Sequence, residues 1–535
     1  MALSDFYKNQ VTSWTNAHWV FVQAIQGIYD LHNHNPFDAS KTLDDYLSQV
    51  PEVQGLIQNL MDQKARARAL GAGWSFSKVG ATDGYLLNQQ FLKTWFPLSP
   101  QSVVPGVDPQ NHFLFQCGMS VHDVHMALAS HGKSLPVSGS SCGQSLIGAF
   151  TTGTHGSAFN GAPGTGAVQD AVRGLHLIVS PGRQVWLEPK SKPVVNDAFL
   201  AKLQIQKADH IQDDDLFHAA LNGLGGFGVI HGTLLEATDL FYLDVYRYPA
   251  NFDSLKNAIT SFDFTGVDLG GAAPSQLYHF EVMNNIFCSD KNKAAVVTVM
   301  TKTTKTQPAI TIPLSPAGEE LATLWANITG AVPALVPGVV NTFFANNYPP
   351  LNHLMGTLAD QNPFITNVGP GSIVCSIAMD MKDCYQAMAI CRQLNNANIP
   401  VWYEFRFVPQ VSGSQKVLAF QRFPRTCVFE IAGFGSANIL KYINDCLVEM
   451  EAQKIAMTFH WGKYLPIDKD QTKYGYPQAD LQFKLTPAKL TQIYQDGARD
   501  NVAVWKAQRL KLFGGDKDMM RFFENELMDK LGLSV

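Results

Sequence analysis

Two residues in the stretch VWYEFRFVP carry opposite charges inside an otherwise aromatic and apolar run, Glu404 and Arg406. The run reads as a β-strand, and a spacing of two puts both side chains on one face. A carboxylate beside a guanidinium can take part in proton transfer and steady a developing negative charge. The alternative is an exposed cross-strand ion pair, and the apolar neighbours argue against full exposure. Further on, MTFHWGKYLP supplies the cation Lys463 and His460, a candidate proton acceptor or a hydrogen-bonded core histidine. Two other stretches are built for close backbone approach. RARALGAGWSFSKVG, Arg66 to Gly80, alternates and then breaks into Gly71-Ala72-Gly73, followed by Trp74, Ser75 and Phe76. Leu135 to Gly166, LPVSGSSCGQSLIGAFTTGTHGSAFNGAPGTG, is dense in Gly, Ser and Thr. Its N–H groups and hydroxyls can ring a polyanion without added charge. A flexible linker is the alternative, but long ordered loops inside domains tend to be functional.

The elements around these residues alternate at first. PEVQGLIQNLMDQ has helical spacing with Pro51 at its first turn. ARARAL and HFLFQCG read as strands, and SVHDVHMALASHG as a helix from a Ser120 cap to Gly132. VRGLHLIVSPGRQVWLEP reads as a hairpin turning at Pro181–Gly182. The cluster Gly223–Gly228 leads into the strand VIHGTLLEA, whereas a dinucleotide-binding glycine turn leads into a helix. From about residue 241 strands such as QLYHFEVMNNIFC and CVFEIAGFG alternate with long helices. The spacing predicts a second, α+β domain with an antiparallel sheet. The tail after about residue 455 holds two helical stretches.

Composition narrows the classes. The 535 residues are 46% hydrophobic and 16% charged with a net charge of −5. This describes a well-buried globular chain of two or more domains, without the basic stripe that nucleic acid requires. No apolar run reads as a membrane span, and the N-terminus lacks a signal-peptide pattern, so the expected compartment is cytoplasmic. The eight cysteines form no CxxC pair, and His32/His34 and His122/His125 lack a third ligand nearby, so no metal site is expected.

The loops RALGAGWSFS and SGSSCGQSLIGAFTTGTHGS, followed by VRGLHLIV, and the signature TFHWGK occur in the order found in the vanillyl-alcohol-oxidase (PCMH-type FAD-binding) flavoprotein superfamily. The chain resembles that superfamily, and within it the aldonolactone and alditol oxidases. The resemblance implies an α+β fold, with a two-subdomain FAD-binding domain over residues 1–240. A cap domain over 241–454 and a return segment over 455–535 complete it. One FAD is implied, held by Gly71, Ala72, Gly73, Trp74, Ser75 and Phe76 of the first loop. The second loop contributes Gly139, Ser140, Ser141, Cys142, Gln144, Ile147, Gly148, Thr151, Gly153, Thr154, His155 and Gly156. LNGLGGFGVI adds Gly228 and Ile230, and Lys463 completes the set.

The activity implied is oxidation of an alcohol carbon of a polyol, sugar or sugar lactone by hydride transfer to the flavin, with Glu404, Arg406, Lys463 and His460 at the substrate. His155 is expected to orient its loop. Gly139 falls where the family admits oxygen, which favours an oxidase releasing hydrogen peroxide. A dehydrogenase passing electrons to a quinone or cytochrome is the alternative, as is a non-enzymatic flavin-binding protein. The aromatic cap stretches, NTFFANNYPPLNHL among them, leave room for larger apolar alcohols. Trp74 replaces the histidine that many relatives join to the flavin, so non-covalent FAD is expected, with Cys142 the one visible substitute anchor.

Overall fold

The computed structural model describes residues 7–35, 38–158, 166–304, 325, 329, 332–361, 371–409 and 414–535. Residues 159–165 of the second loop and the first six residues therefore lie outside the described residues. Three sheets organise the rest. The first contains β1 (Tyr7–Asn9), β2 (Gly27–His32), β3 (Ala67–Leu70) and β4 (Tyr85–Phe91) in the order β1-β2-β4-β3, with β2, β4 and β3 parallel. The second contains β5 (Trp95–Pro97), β6 (His112–Gln116), β7 (Val172–Ser180), β8 (Arg183–Glu188), β9 (His210–Gln212) and β10 (Val229–Glu236). Its order is β9-β8-β7-β10-β6-β5, and β7 and β8 form the hairpin that the Pro181–Gly182 turn predicts.

The third sheet is antiparallel throughout. It takes β11 (Tyr242–Ala250), β12 (Leu277–Asn284), β13 (Ala295–Thr303), β14 (Leu351–Thr357), β15 (Ser372–Asp380), β16 (Val401–Pro409), β17 (Arg425–Phe434) and β18 (Thr458–Phe459). The order is β14-β11-β13-β12-β16-β17-β15-β18. The strand before HWGK thus pairs onto this sheet's edge at β15.

Helix α1 (Thr42–Asp62) is longer than PEVQGLIQNLMDQ suggests, and Pro51 lies inside it. Tyr46, Val50, Val53, Leu56, Ile57 and Leu60 form one buried stripe running past the proline. Burying that stripe outweighs the roughly 3 kcal/mol that proline costs in a helix interior. α2 (Val121–Ala129) starts as predicted, with Ser120 and Asp123 in a reciprocal capping box. The second loop contains a helix that its Gly, Ser and Thr content conceals, α3 (Leu146–Thr152). Ser145 caps its N-terminus, and Gly153 ends it in the left-handed region at φ 91°. Beyond it lie α4 (Val336–Asn347), α5 (Cys384–Leu394) and α6 (Ala437–Ala452), the last two packed together. The tail holds four helices instead of two, the longest being α7 (Asn501–Leu512).

Candidate functional site

Both glycine-rich stretches face one cavity of about 770 Å³. The first loop leaves β3 as a short connection, and its backbone is pinned from two directions. Ala17 donates its N–H to the Gly73 carbonyl at 2.8 Å, and Asn16 Nδ2 donates to the Ser75 carbonyl at 2.9 Å. On the other side Phe76 donates its N–H to the Gly462 carbonyl at 2.9 Å, and Ser77 Oγ donates to the Trp461 carbonyl. The HWGK turn is therefore stitched to the first glycine loop. It is also stitched to the third sheet, since His460 N–H reaches the Ser376 carbonyl at 3.1 Å.

The two loops touch where neither has a side chain to spare. A Cβ on Gly71 would lie 2.0 Å from Ser145 Oγ, the cap of α3. Gly73 has φ +68°, a conformation other residues adopt only with strain. Gln144 Oε1 is shielded from solvent and has no partner among the described residues. A cavity walled by bare backbone, hydroxyls and an unpaired amide suits a pyrophosphate-containing cofactor.

All the predicted cofactor residues line this cavity except Cys142 and Gly153. Cys142 is fully buried with Sγ 3.8 Å from His122 Nδ1, and burial pushes its thiol up to about 11. Gly153 caps α3, and its carbonyl accepts from Gln421 Nε2 at 2.8 Å. Trp74 lines the cavity with its indole edge toward His18, centroids 6.0 Å apart. His18 stacks on Phe76 at 3.9 Å and also lines the cavity.

The opposite wall is one face of the third sheet. Register puts Glu281, Arg406 and Val428 in one row, and Met283, Glu404, Glu430 and Ser376 in the next. Residues paired across antiparallel strands share a face, so three carboxylates meet one guanidinium. Arg406 Nε lies 2.5 Å from Glu404 Oε1 without hydrogen-bond alignment, and Nη2 lies 3.0 Å from Glu430 Oε1. Its Nη1 donates to Ser140 Oγ at 2.8 Å and to the His155 carbonyl at 3.3 Å. Arg406 thus joins the charged wall to the second glycine loop.

The protons on this wall are unequally shared. Burial raises the Glu404 carboxyl well above its ordinary value; Arg406 opposes this, and Glu430 and Glu281 add to it. Burial acts on Glu430 too, but Arg406 and Lys463 overcome it and hold that group low. Glu281 is also held low against burial, by His279, a hydrogen bond with Glu404 and Arg406. Burial and its neighbours therefore favour the neutral form of Glu404 and the charged forms of Glu430 and Glu281, the last hydrogen-bonded to Glu404. Burial and Arg406 depress the His155 imidazole to about 3. Burial, His155 and Lys463 push His460 far below its usual value. Both rings are neutral. His460 Nδ1 accepts the Gly462 N–H at 2.9 Å and shapes the HWGK turn. Lys463 Nζ sits 5.3 Å over the Phe76 ring, at the cavity wall.

Glu281, Glu430 and Arg247 line the cavity and were not singled out in the sequence. A signal existed for two of them, since each glutamate interrupts an apolar strand, QLYHFEVMNN and CVFEIAGFG. Arg247 is half-buried in the same wall, with Nε donating to Thr298 Oγ1 at 3.0 Å.

The FAD binding domain family matches residues 46–188. A putative D-arabinono-1,4-lactone oxidase of Neurospora crassa is 27% identical over 195 residues, 36% of this chain and 29% of that protein. The matched stretch spans about a third of the length of the curated relatives. Cholesterol oxidase from B. sterolicum superposes with a TM-score of 0.70 at 13% identity, covering 99% of both chains. A glucooligosaccharide oxidase of Acremonium strictum superposes with a TM-score of 0.57 at 12% identity, covering 96% and 95%. These two likenesses concern the fold. The glycine loops, the cavity they share with the charged sheet face and these matches lead to one conclusion: the chain carries an FAD binding domain over residues 46–188 and resembles the aldonolactone oxidases of the vanillyl-alcohol-oxidase (PCMH-type FAD-binding) flavoprotein superfamily.

Proposed function

We propose that the protein is an FAD-dependent oxidase that converts a CH–OH group to a carbonyl and passes the electrons to O2, giving hydrogen peroxide. The observation that carries this reading is the Glu404–Arg406–Glu430 cluster facing the same cavity as both glycine loops. The relatives named lactone oxidases favour a sugar lactone, sugar or polyol as the alcohol. Bound FAD supplies the hydride acceptor. The chain's residues do the rest. Arg406 and Lys463 place positive charge where the substrate oxygen gains negative charge as its proton leaves. The hydrogen-bonded Glu281–Glu404 carboxyl pair, which titrates as a unit, takes up that proton. His155 and His460 hold the loop and turn in shape.

We assign residues 1–240 to the cofactor domain, 241–454 to the cap and 455–535 to a segment returning to the cofactor domain. Two contacts support the return: Arg509 Nε donates to the Gly226 carbonyl at 2.7 Å, and Arg68 Nη1 to the Phe523 carbonyl at 2.7 Å. No helix among the described residues is long and apolar enough to cross a membrane. The substrate is a small molecule, and nothing in the charge balance invites nucleic acid.

Anaerobic bleaching of the holoenzyme by an alcohol, followed by oxygen uptake with one peroxide per turnover, tests the function. Rapid dye reduction without oxygen consumption would shift the reading to a dehydrogenase. We also assign non-covalent attachment, because the resemblance puts Trp74, which lines the cavity, where many relatives carry the linking histidine, and Cys142 lies outside the cavity lining. Acid precipitation is expected to leave the yellow colour in the supernatant; a yellow pellet overturns the assignment.

A further inference from the structure

We infer that the alcohol carries an apolar body on one side of its hydroxyl, so that the substrate class is an alcohol on a hydrocarbon skeleton and not a sugar or sugar lactone. This rests on the oxidase reading above and departs from the sugar-type alcohol that the relatives' names favour, on the ground of the cavity wall. The cavity wall is divided along the strand direction. Rows on one face of a sheet repeat every second residue, about 7 Å apart. The row holding Arg406 and Glu281 is charged, and the next, with Glu404 and Glu430, already contains Met283. The row after that is Val374, Ala432 and Trp402, with no charge, and Phe434 follows on β17. All four of these residues line the cavity.

Helix α4 closes over this end. Its Val336, Val340, Phe343 and Phe344 pack with Met283, Trp402 and Phe434 in one apolar cluster. Phe343 also lines the cavity, its ring 4.4 Å from that of Trp402. The polar groups nearby sit at element ends: Ser372 opens β15, Asn347 closes α4 with its amide already donating to the Phe343 carbonyl at 2.8 Å, and Tyr348 follows as the helix cap. A lactone or polyol bears hydroxyls on successive carbons, and past the Glu404 row the strand wall offers them Val374, Ala432, Trp402 and Phe434, with Ser372, Asn347 and Tyr348 only at its margin. Buried hydroxyls without partners weaken binding, whereas a hydrocarbon body gains from the same wall. The charged rows still receive one hydroxyl.

Binding and turnover separate this inference from the reading beneath it. Oxidised holoenzyme is titrated with a polycyclic secondary alcohol, a long-chain primary alcohol and D-arabinono-1,4-lactone, following the flavin visible band; anaerobic bleaching is then recorded for each. At least one apolar alcohol is expected to perturb the band at a concentration about 100-fold below the lactone. Trp402→Ser is expected to weaken that binding about tenfold at normal flavin content, with Trp402→Phe restoring it. Tighter binding of the lactone than of either apolar alcohol overturns the inference, even if the lactone bleaches the flavin and so upholds the oxidase reading. Apolar binding without bleaching by any alcohol overturns the oxidase reading and, with it, the alcohol named here. Apolar binding that Trp402→Ser leaves unchanged also overturns the inference, because the wall would then not be the site.

Discussion

Arg406→Met is expected to lower the rate of flavin reduction by alcohol about 10²–10³-fold, the scale of losing one preorganised stabiliser of developing negative charge. The guanidinium is the group that faces both Glu404 and Glu430 while holding Ser140 and the His155 carbonyl of the second loop. Its loss leaves two carboxyl groups buried without it, and removal of one partner from such a cluster costs about 3–5 kcal/mol. Glu430, now ionised, is expected to rise toward protonation, because Arg406 is the main influence opposing burial there. Stopped-flow reduction under nitrogen separates the effects: a rate within threefold of the parent, at normal flavin content, would remove Arg406 from the chemistry. Arg406→Lys keeps a charge but not the planar fork, and is expected to fall between the two.

Arg509→Met is expected to cost about 3–5 kcal/mol of stability and to loosen the flavin, although Arg509 is absent from the cavity lining. Its side chain is completely buried in α7. There Nη1 meets Glu524 Oε1 at 2.7 Å and Nε holds the Gly226 carbonyl at 2.7 Å. Gly226 belongs to the turn whose neighbours Leu224, Gly225 and Gly228 do line the cavity. The mutation removes the ion-pair partner of Glu524, which is 1% exposed and keeps only the Val535 N–H on Oε1 among the described residues, and frees the turn. Thermal unfolding followed by far-UV dichroism and by flavin fluorescence checks this. The expected result is a lower Tm on both probes and a flavin:protein ratio that falls on dilution. An unchanged Tm would show that the surrounding backbone contacts suffice.

Some of the site could be read in the chain because its signals are local. Glu404 and Arg406 share a face for a reason contained in three consecutive residues, the two-residue period of a strand. The glycine loops announce themselves by density, and HWGK by adjacency. Helix α3 was hidden by the same density, since a seven-residue helix between Ser145 and Gly153 carries too few apolar residues to show a period. Pro51 misled in the other direction, because proline favours a first turn locally while the buried stripe of α1 is set by what packs against it.

The sequence by itself therefore determined the FAD-binding likeness, two glycine loops that meet at one cavity and one charged pair on one strand. Which other charges joined that pair was decided by tertiary structure alone. Glu430 stands opposite Glu404, and Glu281 opposite Arg406, through strand pairings that bring together residues 26 and 125 apart in the chain. No local period encodes such a register. It follows from the burial of whole strand faces, and with it came the raised carboxyl of Glu404, the lowered ones of its neighbours and the apolar rows beyond them.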